Sequence, residues 1–454
     1  MQKVKSPYLH DKNYREEQKY RKPFKKALSE FQSKDYELAS RILNEVIHRK
    51  HDERTKQKIQ KVLLLLLVGE FYGMNTLNKI LKNYGVRGND YQQLWQKLSC
   101  KELLGMMNRW LWQLFSVECS KRLLQSGSTQ SRQKLTLVID GSIFKQWLVE
   151  EEFGKYFAKY YSGQYKSAVY GFNVLLCGMV IGEVFYPLHF QLRLKSEKDP
   201  VVAKRILSKV YKKLNELAYG QEVKLPTLYL SVDCGFRSKD LVAYCESCQI
   251  IYIGVPKVGH LIETSGKRMK IRDLKAEYIQ REAEHIAQNG ADAKPFVWRI
   301  RVWYKCMDRE VTLLLFRLNG SKKVSVIFSP DLDIKAKTMR RHWFERTKIE
   351  LLFRMIKNDF KIQQITVRNR LGFMKKLAFA LVKSVYAQLL TQRVKKTDIS
   401  LRRLGFNGIR QLLVFNQIDK EWLDDLVLKE TFCKKKHPKL TDNQRLKSKP
   451  ITPI

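Results

Sequence analysis

The chain has 454 residues, too many for one compact core at ~100–200 residues per domain, so two or three domains are expected. It carries 86 Lys+Arg against 45 Asp+Glu, a formal net charge of +41, and 44% hydrophobic residues, enough to bury a sizeable core. A folded chain this basic needs a polyanion to offset self-repulsion: nucleic acid is the first candidate, an anionic membrane surface the second, and charge alone names no activity. The eight cysteines follow no secretory leader and are expected to be reduced in a cytoplasmic protein. The longest apolar run, VLLLLLVG at 62–69, is far short of the ~20 residues that cross a bilayer and reads as a buried helix.

Residues 1–22 are polar and read as disordered, or as ordering on binding. From about 24 to 126 apolar residues recur at three- and four-residue spacing, as in DYELASRILNEVIHRK at 35–50. This predicts a helical N-terminal domain over 1–125. Its basic helices suit either a DNA groove or a solvated face, since no zinc-finger or zipper pattern shows. The polar stretch 125–134 reads as the linker.

A buried strand follows at Leu135–Ile139, ending in Asp140, Gly141 and Ser142. Two more strands are predicted at 168–180 and 183–193 with a tight turn at 181–182, then a helix at 200–217 opening with Pro200. The next strand ends in Asp233, before a short helix at 238–247 and a strand at 250–256. Three consecutive strands and then alternation predict a mixed α/β sheet. Cys245 and Cys248 form one C-x-x-C without a second pair at zinc spacing, and read as incidental helix residues. The cation-rich piece 265–286 reads as an exposed helix, and 296–306, 310–319 and 323–330 as strands.

The stretch 342–360 reads as one helix on which Trp343, Arg346, Glu350 and Lys357 share an arc of ~60°. Ile349, Leu352, Phe353, Ile356 and Phe360 form the neighbouring core face. Alone, this is an amphipathic helix with a solvated charged face. Two aspartates at separate strand ends upstream give it another meaning. Carboxylate oxygens suit hard divalent cations, and a pair of metals can activate an attacking oxygen and stabilise a leaving one. Glu345, Asp331, Asp333 and Asp359 are rivals by type, but Glu350 shares a face with Arg346 and Lys357. A strong helix is predicted at 371–392, weak helix at 400–428 and a basic tail at 429–450.

Over about 135–390 the chain resembles the DDE transposases of bacterial insertion sequences, in the subgroup with a Y-x2-R-x3-E-x6-K signature. The matching motifs are DGS at 140–142, DCGF at 233–236 and RTKIELLFRMIK at 346–357. The signature tyrosine position holds Trp343, which has an indole N–H but no hydroxyl for a DNA phosphate. The resemblance implies an RNase H-like mixed sheet flanked by helices, divided as a core at 126–256 and 334–392, a β-rich insertion at 257–333 and a C-terminal helical region and basic tail at 393–454. It implies that Asp140, Asp233 and Glu350 are catalytic and hold two magnesium or manganese ions, and that Arg346 and Lys357, with position 343, contact end DNA. Related insertion domains stack an aromatic on a flipped base. Trp298 and Trp303 are the candidates, and the alternative for each is packing within the β-rich segment.

The activity so implied is metal-dependent cleavage at transposon ends and strand transfer into target DNA, by a homodimer on paired ends, often through a hairpin, in the bacterial nucleoid. Two other readings keep the same residues: an RNase H-like nuclease without strand transfer, and a catalytically silent, transposase-derived DNA-binding protein.

Overall fold

The computed structural model describes residues 100–124, 135–145, 154–162, 166–222, 224–290, 295–318, 321–360, 362–364 and 370–397, all within one compact unit. Of the expected N-terminal helical domain only helix α1 (Cys100–Leu124) is among them. The linker at 125–134 and everything beyond 397 lie outside the described residues.

Apolar, β-branched runs form the first sheet: β1 (Leu135–Lys145), β2 (Phe157–Ser162), β3 (Ser167–Ile181), β4 (Val184–Leu192), β5 (Leu228–Val232) and β6 (Ile250–Ile253). Its order is β2–β3–β1–β5–β6, with β4 also paired to β3. Strands β1, β3 and β4 form an antiparallel meander, and β5 and β6 continue parallel to β1. The β3–β4 turn centres one residue later than predicted, on Gly182, whose φ of 64° suits a residue without Cβ. Every residue of β3 from Gly171 to Ile181 is buried, so both faces of the sheet centre are covered.

The covering helices are amphipathic. Helix α2 (Asp199–Tyr219) lays Val202, Ile206, Val210 and Leu214 toward β3 and β4, at helical spacing. Helix α7 (Arg370–Thr397) packs on β4 and against α1, where the Trp110 indole donates to the Tyr386 hydroxyl at 2.7 Å. Helix α3 (Lys239–Ser247) is capped by the Ser238 hydroxyl, and the C-x-x-C pair sits at its end with Cys245 buried.

A second, five-stranded antiparallel sheet has the order β11–β10–β9–β7–β8, with β7 (Leu261–Thr264), β8 (Lys267–Lys270), β9 (Val297–Tyr304), β10 (Arg309–Arg317) and β11 (Val324–Ser329). The reading of 265–286 as continuous helix is corrected here. Ser265 and Gly266 take positive φ, the chain turns back, and Lys267–Lys270 pairs with β7 before helix α4 (Ile271–Asn289) begins. The two sheets meet at a bridge between Gly254 and Phe328. Tyr229, Ile253, Leu314, Phe316, Ile327 and Met339 share one apolar cluster across that junction.

The molecule is thus a mixed α/β protein with a mixed sheet flanked by helices. Among the described residues no helix is long and apolar enough to cross a membrane.

Candidate active site

The parallel ladder between β1 and β5 ends at the pair Ile139–Val232. Asp140 and Asp233 are the next residue on each strand, so the register sets two carboxylates side by side where backbone pairing stops. Asp140 does not end its strand, as the sequence suggested: β1 runs on to Lys145 because β3 still pairs along its other edge, with Asp140 opposite Leu176. Asp233 precedes a single 3₁₀ turn, Cys234–Phe236, but its side chain makes no capping bond. Its carboxylate is not consumed by the turn it starts.

Both aspartates line a cleft of about 530 Å³ together with Lys357. The Asp140 Oδ1 accepts the Gly141 N–H at 2.8 Å. Burial pushes the Asp140 carboxyl up to about 7; the Gly141 N–H and the Arg346 cation oppose that shift, and Asp233 and Glu350 add to it. The five groups therefore form one electrostatic neighbourhood.

The helix expected over 342–360 is not continuous, which corrects the sequence reading. Helix α5 (Ala336–Phe344) stops, α6 (Thr347–Arg354) starts after Glu345 and Arg346, and Met355–Asp359 winds as a π-helix. The junction is tightened by i→i+3 bonds, Arg346 N–H to the Trp343 carbonyl and Ile349 N–H to the Arg346 carbonyl, and the end is widened by Phe360 N–H to the Met355 carbonyl. A shared arc at 100° per residue therefore does not hold from Trp343 to Lys357.

What survives is local. Arg346 Nη1 lies 2.6 Å from Glu350 Oε1, four residues on. Lys357 reaches the cleft through the π-turn, its Nζ 5.2 Å from the centre of the Phe144 ring. Burial pulls its ammonium down to about 8, against the attraction of Asp140. Trp343 goes elsewhere: its ring meets Phe316 at 5.5 Å and Phe344 at 5.3 Å, and its indole N–H is buried without an acceptor.

No family model matches this chain, and no curated protein matches it.

Among the described residues no three His, Cys, Asp or Glu side chains are grouped to hold a metal ion. Asp140 and Asp233 suit a hard divalent cation by donor type, by adjacency and by the repulsion Asp140 feels. Glu350 has its charge met by Arg346 and does not line the cleft. Trp298 and Trp303 do not line it either. They point to opposite faces of β9, as residues five apart on a strand must. Trp298 lies under the Arg281 guanidinium at 4.5 Å, and Trp303 is 42% exposed. The rivals Asp331 and Asp333 serve a turn: Asp331 accepts the Asp333 N–H at 2.9 Å, and Asp333 pairs with Arg301 at 2.9 Å.

Sequence reasoning missed the cleft residues Tyr160, Tyr161, Asn173, Arg193 and Asp199. Asp199 reads as an ordinary first-turn acid before Pro200, and Tyr160 lies on a short edge strand with no motif. Pairing of β2 and β4 along β3 brings the strand residues to Asp140, and Asp199, at the start of α2, joins them through its ion pair with Arg193.

Proposed function

We propose that this chain is a DDE-type DNA transposase with an RNase H-like core, cutting transposon ends and transferring the freed strand to target DNA. The observation that carries the reading is the β1–β5 register, which sets Asp140 beside Asp233 in a cleft walled by Lys357. The strand order supports it: an antiparallel meander followed by two strands parallel to the first is what an RNase H-like core requires. The net charge of +41 suits a DNA partner.

In this reading Asp140 and Asp233 would hold magnesium or manganese, two ions per site, and Glu350 would be the third carboxylate. When bound, the metal supplies Lewis-acid activation of the attacking oxygen and charge for the leaving one. The protein's own residues do the rest. Lys357 and Arg346 place positive charge beside the carboxylates, where a phosphodiester would otherwise be repelled. The segments at 257–333 and 1–125 are assigned to end-DNA contacts, including Trp298 and Trp303, and the protein is assigned to act as a homodimer on paired ends in the nucleoid.

One observation favours the alternatives, a nuclease without strand transfer or a silent DNA-binding protein. Trp343 is packed inward where the resembled family presents a hydroxyl to DNA.

The test uses the DNA flanking the coding sequence, searched for terminal inverted repeats and offered as labelled duplexes with magnesium. The wild-type protein is expected to nick the ends and join them to a plasmid. Asp140→Ala, Asp233→Ala and Glu350→Ala are expected to bind and not cut. Undiminished magnesium-dependent cleavage by Glu350→Ala would sink the assignment.

A further inference from the structure

One polar group at the cleft has nothing to bind. Tyr160, on the edge strand β2, is 7% exposed, and its hydroxyl is closed off from solvent and has no hydrogen-bond partner. Buried hydroxyls are nearly always paired, because an unpaired one is destabilising. Tyr160 lines the same cleft as Asp140 and Asp233.

Its surroundings are built rather than accidental. The Arg193 guanidinium sits 5.4 Å over the Tyr160 ring. Arg193 Nε lies 3.0 Å from Asp199 Oδ1, and Arg193 Nη1 donates to the Glu197 carbonyl. The Glu197 carboxylate in turn accepts the Leu194 N–H at 3.0 Å and Arg205 at 2.8 Å. Arg193 is thereby locked at the cleft wall. Asp199 is no bare anion there, since Arg193 meets its charge. Burial pushes the pKa of the phenol up, with Arg193 opposing the shift and Asp199 adding to it, so the hydroxyl keeps its hydrogen and donates. A phenol donor beside a fixed guanidinium selects an anionic oxygen acceptor. The cleft, about 530 Å³, has room for a nucleotide unit and not for a duplex. Tyr161, the next residue on β2 and 70% exposed, also lines the cleft.

We propose that Tyr160 and Arg193 form a phosphate subsite that holds a phosphodiester of the bound DNA strand next to the one that reacts at Asp140 and Asp233. This rests on the transposase reading of that cleft and names a contact which the sequence motifs do not contain.

The probe is thymidine 3′,5′-bisphosphate, titrated calorimetrically into the full-length protein at roughly 0.3 M salt, where surface attraction is screened. The wild-type protein is expected to bind it at one site. Tyr160→Phe is expected to bind roughly tenfold more weakly, the loss of one hydrogen bond to a charged group. Tyr219→Phe, at a position 88% exposed, is expected to match the wild type. Removing an orphaned oxygen is also expected to leave the melting temperature of the free protein unchanged or raised, whereas a structural role for the hydroxyl would lower it. Equal affinities for wild type and Tyr160→Phe overturn the proposal, as does failure of the wild type to bind. Cleavage of end DNA is scored separately. Tyr160-dependent bisphosphate binding without end cleavage keeps the subsite and removes the transposase reading. End cleavage with Tyr160-independent binding does the reverse.

Discussion

Arg346 and Glu350 close an ion pair of 2.6 Å across one turn, with Arg346 only 16% exposed and Glu350 43% exposed. The glutamate is the more exposed partner and does not line the cleft, and both charges act on Asp140. A pair with one member this exposed contributes little to folding, about 0–1 kcal/mol. Glu350→Gln is therefore expected to cost under about 1 kcal/mol in urea unfolding and still to remove magnesium-dependent cleavage. A loss of several kcal/mol would make Glu350 a structural residue instead.

Asp140 bears the largest electrostatic cost in the cleft. Its folded-state pKa, about 7, lies above its ordinary value, so the group destabilises the fold progressively as pH rises from about 4 to about 7. Asp140→Asn keeps the shape and removes the charge. At pH 8 it is expected to stabilise the protein by about 1–3 kcal/mol, less than the full shift because the cleft it lines is open to water. Magnesium is expected to raise the melting temperature of the wild type and not of Asp140→Asn. Destabilisation by Asp140→Asn at pH 8 would overturn this account.

Lys357 is expected to act on phosphate through charge. Lys357→Ala should weaken end complexes at low salt and reduce the slope of log affinity against log salt by about 1. An unchanged slope, measured by fluorescence anisotropy across a salt series, would count against a phosphate contact.

Trp343 separates packing from DNA contact. Trp343→Phe retains an aromatic ring against Phe316 and Phe344 and is expected to lose less than about 1.5 kcal/mol, while Trp343→Ala loses roughly 2–4 kcal/mol. Both are expected to bind end DNA normally where folded. Lost end binding in stable Trp343→Phe would show that the indole N–H is needed for DNA after all.

His189 makes the fold acid-sensitive. Burial, with Lys209 and Lys213 close by, pulls its pKa down to about 4. A depressed folded-state pKa means stability that is complete above about 6.5 and lost as pH falls toward 4. The loss is expected to reach roughly 1–2 kcal/mol, since the ring is partly exposed. Urea midpoints between pH 7 and 4 should fall more steeply for the wild type than for His189→Gln.

Much of the frame is legible because its causes are local. Apolar β-branched runs place β3, β4 and β5 and the start of β1 within a few residues of their observed bounds, since burial on a pleated surface is written in composition. The Arg346–Glu350 contact follows from four-residue helical spacing. The single helix over 342–360 failed because tightened and widened turns shift the phase of the side chains, and no residue type announces them. The strand at Lys267–Lys270 was hidden by its charge, which suits an exposed hairpin as well as a helix.

By itself the sequence determined the basic character of the chain, the aspartates that follow the apolar runs of β1 and β5, and the basic, apolar-backed segment that carries Glu350. Only the tertiary structure decided that Asp140 and Asp233 are neighbours, that Lys357 joins them, that Trp343 turns into the core, and that Tyr160, Arg193 and Asp199 line the same cleft. Periodicity and composition act over a few residues, whereas those relationships depend on which strands pair and in what register. That choice is made by burial of both sheet faces across segments far apart in the chain.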